Sequence, residues 1–173
     1  IKRGCIQRKI RYFFEYILFL FFAGILRILP YTTALLTGSI LAYTAYLVMP
    51  GTRRSVSRRI RSVLGDSVKE QELRKEVTAA FRNLAWNGID LIRLDKFSDN
   101  DLLKMFKTSI PLDELKKSDM FTRGGLLTTA HMGSWELGAI FFHRHIAPLC
   151  VITARQHNPY IDTYFRKQRE KIG

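Results

Sequence analysis

A chain of 173 residues with 47% hydrophobic and 25% charged side chains has the composition of one folded domain, which excludes a disordered or low-complexity segment. Its net charge of +13 is unevenly placed: eleven Lys and Arg and one acid, Glu15, precede Ser62, and the remainder is close to balanced. Charge gathered around the most apolar stretch argues against a nucleic-acid surface, where basic residues cover a polar fold. It fits anionic lipid headgroups instead, at about 1 kcal/mol per Lys or Arg.

Residues 12–29 are nearly all apolar, interrupted by Glu15 and Arg27, and Pro30 breaks the run because it lacks a donor and disfavours helix before it. Residues 31–49 form a second uncharged stretch, closed by Pro50 and Gly51. Each approaches the ~20 residues of a spanning helix without being a clean span. No small-residue cleavage site follows Tyr31, so a signal peptide is not expected. Lys2, Arg3, Arg8, Lys9 and Arg11 precede the pair, and Arg53, Arg54, Arg58, Arg59 and Arg61 follow it. The positive-inside tendency puts both flanks on the cytoplasmic side, which predicts a membrane-associated helical hairpin over residues 1–61. The competing reading is two buried helices of a soluble core, for which almost forty residues with so few charges is unusual.

Ser67 and Glu70 have capping-box spacing. Leu73, Val77, Ala80, Phe81, Leu84 and Ile92 recur at helical spacing, predicting a long amphipathic helix to about Leu94. Trp86, Asn87 and Asp90 on it are read as packed or solvated residues before lipid-binding ones. Asp99, Asn100 and Asp101 open a short helix through Phe106, and Pro111 with residues 113–117 supplies a further turn or helix.

The pattern changes at Gly124. Residues 126–130 are an uncharged, β-prone run of buried-strand type. His131, Met132 and Gly133 follow at once, and Ser134 is placed to cap a helix through Trp135, Leu137, Ile140 and Phe141. His131 then ends a strand and Glu136 sits in the next helix's first turn, at the crevice where α/β folds bind ligands. Neutral imidazole can take a proton from a hydroxyl as it attacks an acyl carbonyl. A carboxylate fixes the ring's tautomer and stabilises the imidazolium that forms. The hydroxyl belongs to the substrate, so no enzyme nucleophile is required. Gly133 removes bulk where substrate approaches the backbone.

A His and a Glu five residues apart are a weak signal alone; the surrounding run is more specific. Leu126 through Leu137, with His131, Gly133, Trp135 and Glu136, closely resembles the His-x-Gly-Asn-Trp-Glu signature of the bacterial lipid A biosynthesis acyltransferases, the lauroyl and myristoyl transferases. These lie within the wider His-x4-Asp/Glu lysophospholipid acyltransferase superfamily. Ser134 stands where the signature has Asn. Arg155, Asn158 and Pro159 resemble the family's second block. The resemblance implies an α/β, glycerolipid-acyltransferase-like fold, with residues 62–173 as the front part of a catalytic domain whose C-terminal part is lacking. It implies acyl transfer from a thioester, on acyl carrier protein or acyl-CoA, to a hydroxyl of a membrane lipid such as a lipid A precursor. The expected place is the cytoplasmic face of the inner membrane, on an anionic phospholipid surface. His131 is then the base and Glu136 its orienter, with Gly133, Ser134, Arg155 and Asn158 as candidates for binding substrate. A phosphatidylinositol mannoside, an ornithine lipid or another lysolipid stays open as acceptor.

No cofactor and no metal are expected: Arg144 between His143 and His145 would repel a cation. Cys5 and Cys150 lie far apart with no metal or redox spacing, and Cys150 in its apolar run reads as a core residue. Two rival classes remain: a catalytically incomplete membrane-anchored scaffold of the same fold, and a basic nucleic-acid-binding protein, for which no recognisable module is present.

Overall fold

The structure, a computed structural model, describes residues 2–118, 123–130 and 132–172. Its elements in order are α1 (Lys2–Ile28), α2 (Tyr31–Val48), α3 (Pro50–Leu64), α4 (Glu70–Ile92), a 3-10 turn (Leu94–Lys96), α5 (Asp99–Met105), α6 (Leu112–Lys116), α7 (Trp135–His145) and α8 (Pro159–Glu170). They fall into two compact units, Ile1–Ile28 with Asp90–Gly173, and Leu29–Ile89.

The expected α/β architecture is not what forms: among the described residues there are helices and no strand. Residues 126–130 and 149–154 take no regular secondary structure and have no strand partner among the described residues, and a strand exists only through backbone hydrogen bonds exchanged with a neighbour. Leu126 is 90% exposed and Ile152 fully so, where a buried parallel strand would hide both. Cys150, expected in a core, is likewise exposed.

In the first unit, α1 turns Tyr12, Tyr16, Phe19, Ala23 and Leu26 to one side, the i, i+4, i+7 spacing of a single helical stripe. This stripe meets α8. Tyr16 stacks on Tyr160 at 5.7 Å, and Phe19 meets Tyr164 and Phe165 edge-on at 5.1 and 5.5 Å. Such pairs contribute about 0.5–1.5 kcal/mol each beyond burial. A second cluster, Leu94, Leu102, Leu137, Ile140 and Phe141, joins α5 and α7, with Phe106 stacked on Phe141 at 4.9 Å. α5 begins with a full capping box between Ser98 and Asp101, so this short helix is fixed at its start.

Two arginines tie helix ends together reciprocally. The Arg27 guanidinium on α1 donates to the Ile92 carbonyl at 2.8 Å and forks onto Asp95 at 2.7 and 2.8 Å. Buried Arg93 donates in return to the Leu26 carbonyl. Both acceptors are last-turn carbonyls that have no partner inside their own helices. The Arg27 fork, the largest influence on it, holds the Asp95 carboxyl below its ordinary range. A depressed folded-state pKa contributes stability above the unfolded value of about 3.9, and that contribution is lost as pH falls through the lower folded value. Asp95→Asn is therefore expected to cost about 1 kcal/mol near neutrality, and the gap to the parent should close below about pH 4. Urea unfolding of both proteins at the two pH values measures this; a gap independent of pH would refute it.

In the second unit, α2 buries Ala34, Gly38 and Ala42 at four-residue spacing against α4. A side chain at Gly38 would begin 2.4 Å from the tip of Ile89, so the small-residue stripe sets how closely the helices approach. Trp86 locks the register by donating to the Leu35 carbonyl and to Ser39 Oγ, both at 3.0 Å. Its role here is packing, and buried Asn87 donates back to the Asn83 carbonyl at 2.8 Å. α4 starts at Glu70 with Leu73 N–H bonded to the Lys69 carbonyl, two residues later than a box on Ser67 requires. Leu84, expected on the inner stripe, is 67% exposed, whereas Leu73, Val77, Ile89 and Ile92 are buried.

Candidate active site

His131 lies outside the described residues, so the site is built from what surrounds it. Gly133 takes φ +60°, a left-handed conformation in which a Cβ is strained, so the turn after His131 favours glycine here. Ser134 occupies the N-cap position of α7, as expected, but its side chain makes no capping bond. Its Oγ is buried without a hydrogen-bond partner among the described residues. A buried hydroxyl in that state costs about 1–3 kcal/mol unless a further group engages it.

Glu136 stands in the first turn of α7, where the helix dipole favours a negative charge. Its carboxylate is gripped by Arg169 from the last turn of α8: Nε donates to Oε2 at 3.1 Å and Nη2 to Oε1 at 2.5 Å. Both side chains are largely buried, with relative exposures of 16% and 26%. A carboxylate offers about four acceptor positions, and Arg169 uses two, so an imidazole N–H or a substrate hydroxyl can still be accepted. Beside the pair opens a cavity of about 70 Å³, lined by Leu94, Ala139, Ile140, Leu149, Val151 and Ile172. Its walls are mostly apolar, with His143 and the Glu136–Arg169 ion pair as the polar groups lining it.

The remaining candidates do not converge on Glu136. Arg155 is exposed and carries no hydrogen bond or ion pair among the described residues. Asn158 is buried and fully occupied: Oδ1 caps α8 by accepting from Tyr160 N–H at 3.0 Å, and Nδ2 donates to the Tyr12 carbonyl at 2.8 Å and to Glu15 at 3.0 Å. His157 beside it shares a 2.9 Å hydrogen bond with the Tyr12 hydroxyl. The Arg-x-x-Asn-Pro block thus joins α8 to α1. His143 Nδ1 accepts the Leu149 N–H at 3.1 Å, which leaves the neutral ring's proton on Nε2.

The model of the family described as bacterial lipid A biosynthesis acyltransferase matches residues 5–173. The chain belongs to that family. Comparison with curated proteins and with solved structures returned no match. Family membership makes this an O-acyltransferase of lipid biosynthesis, which moves an acyl group onto a lipid. Arg169 was missed by the sequence reading. Its one local signal is its place four residues after Phe165, on the inward side of an otherwise basic helix.

Proposed function

We propose that this acyltransferase uses His131 as general base on the hydroxyl of a membrane lipid, with Glu136 orienting the imidazole. The observation that carries the reading is the bidentate Arg169 grip on Glu136. It fixes a carboxylate, with acceptor capacity to spare, five residues after a histidine and across a glycine turn. The acceptor hydroxyl attacks the thioester carbonyl and its proton passes to the imidazole; as the carbonyl re-forms the C–S bond breaks, and the departing sulfur takes that proton from the imidazolium to leave as the thiol. Glu136 offsets the imidazolium charge during that step. The unsatisfied Ser134 hydroxyl and the exposed Arg155 guanidinium are groups suited to the acceptor or to developing negative charge. Asn158 acts on the site by holding α8, and so Arg169, against α1.

The acceptor is a lipid A precursor and the donor an acyl thioester on acyl carrier protein or acyl-CoA, at the cytoplasmic face of the inner membrane. The outer stripe of α1 supports a membrane setting: Phe14, Leu18, Phe21 and Ile25 recur at helical spacing, each at least 40% exposed. Among the described residues no single helix is long and apolar enough to cross a membrane, whereas α2 and α3 together reach that length and composition as a bent pair. Incubating the protein with a labelled acyl thioester and candidate acceptor lipids, followed by mass spectrometry, tests the reading. One additional acyl chain on a lipid A precursor is expected, and no acylated lipid from any acceptor would sink it.

A further inference from the structure

α2 and α3 form an elbow, bent by 97° across Met49 and Pro50, and its two arms have different chemistry. On α2, Leu36, Ile40, Tyr43 and Leu47 recur at i, i+4, i+7 and i+11, each more than half exposed. At 100° per residue this stripe lies opposite buried Ala34, Gly38 and Ala42, so it faces away from the α4 packing surface. α3 carries Arg53, Arg54, Arg58, Arg59 and Arg61 and no acid. Arg61 pairs with Glu70 at 2.8 Å, whereas the exposed Arg54, Arg58 and Arg59 have no ion pair or hydrogen bond at their guanidinium groups among the described residues.

The corner is built from groups that favour a water–hydrocarbon boundary. Tyr43 and Tyr46 stack at 6.0 Å, and the Arg53 guanidinium lies 5.1 Å from the Tyr46 ring. Tyrosine carries an apolar body and a polar tip, and arginine buries its stem while its head stays wet. Reading along the chain, an exposed apolar stripe gives way to stacked tyrosines and then to an arginine helix at a right angle.

We infer that the α2–α3 elbow is a docking device for anionic phospholipid, with the outer stripe of α2 seated among acyl chains and α3 lying along the headgroups. Arg54, Arg58 and Arg59 reach the phosphates. The inference rests on the membrane setting proposed above and assigns its charge selectivity to one helix. An acidic carrier protein would also attract the arginines. It would not require an exposed Leu/Ile stripe running most of the length of α2, so charge and apolar area together favour the bilayer.

Vesicle co-sedimentation of the full chain tests this, with phosphatidylcholine alone and with phosphatidylcholine mixed with phosphatidylglycerol, at low and high salt. The parent is expected to prefer the anionic vesicles, with the preference eroded by salt. In R54Q/R58Q/R59Q the anionic preference should fall on the order of 100-fold, about fivefold per arginine. L36S/I40S should weaken binding to both vesicles alike, with circular dichroism checking that the helices persist. Unchanged anionic binding by the arginine variant overturns the assignment to α3 while leaving the membrane setting intact. So does a variant that binds vesicles normally but loses transfer only from a carrier-protein thioester, since α3 would then be a protein dock. A parent chain that binds neither vesicle overturns both this inference and the membrane setting itself, whereas acyl transfer to dispersed acceptor remains a separate measurement.

Discussion

Alanine in place of His131 is expected to lower acyl transfer on the order of 1,000-fold, with the loss in kcat and little change in KM for the acceptor. The expectation follows from what the base supplies. A lipid hydroxyl is a poor nucleophile until its proton is taken, and a positioned base contributes roughly 10²- to 10⁴-fold to such a step. No enzyme nucleophile stands in for it in the proposed reaction, so the alanine variant has no covalent intermediate to fall back on. Glu136→Gln should fall less far, because an amide oxygen still accepts a hydrogen bond but carries no charge to offset the imidazolium. Steady-state kinetics on both variants, beside circular dichroism to establish that the helices are intact, give the comparison. A His131→Ala protein that retains parental turnover would remove the imidazole from the mechanism, and a scaffold reading would then have to be considered.

Local chemistry made the helices legible, but it suggested a strand where none forms among the described residues. Pro30 and Pro50 end one helix and begin the next for reasons confined to a few atoms, and α2 and α3 start within one residue of them. Residues 126–130 carry the composition of a buried strand, but a strand is a property of two chains, and composition does not contain the partner. The same distinction runs through the site. Glu136 in a helix's first turn follows from the order glycine, serine, tryptophan, glutamate. Arg169, 33 residues away, meets it only because α8 is packed on α1 and the Leu94–Lys96 turn. Asn158 was read as a substrate-binding type of residue. Asn followed by Pro is also an N-cap followed by proline at the first helical position, a purely local signal, and its side chain does cap α8. Ser67 and Glu70 show the converse. Their spacing fits a capping box, yet the helix begins at Glu70, and the box that forms is on Ser98.

The Arg169–Glu136 pair has the second large effect, and its structural and catalytic contributions can be separated. Arg169→Met removes both donors and leaves a carboxylate that is only 16% exposed without its counter-ion. The expected cost is about 2–3 kcal/mol of stability, because a desolvated charge without its partner is worse than either the pair or an apolar replacement of both. Arg169→Lys keeps the charge but loses the planar fork, so it should recover part of that loss and less of the turnover. The double variant, Glu136→Gln with Arg169→Met, no longer strands a charge and should be more stable than Arg169→Met alone. It should nevertheless be no more active, since the carboxylate that orients the proposed base is gone. Urea unfolding across this cycle gives the coupling energy directly. A value below about 0.5 kcal/mol would mean that the fork behaves as an exposed surface bridge. In that case Glu136 would owe its position to α7 alone, and Arg169 would have no part in holding it toward the His131 turn.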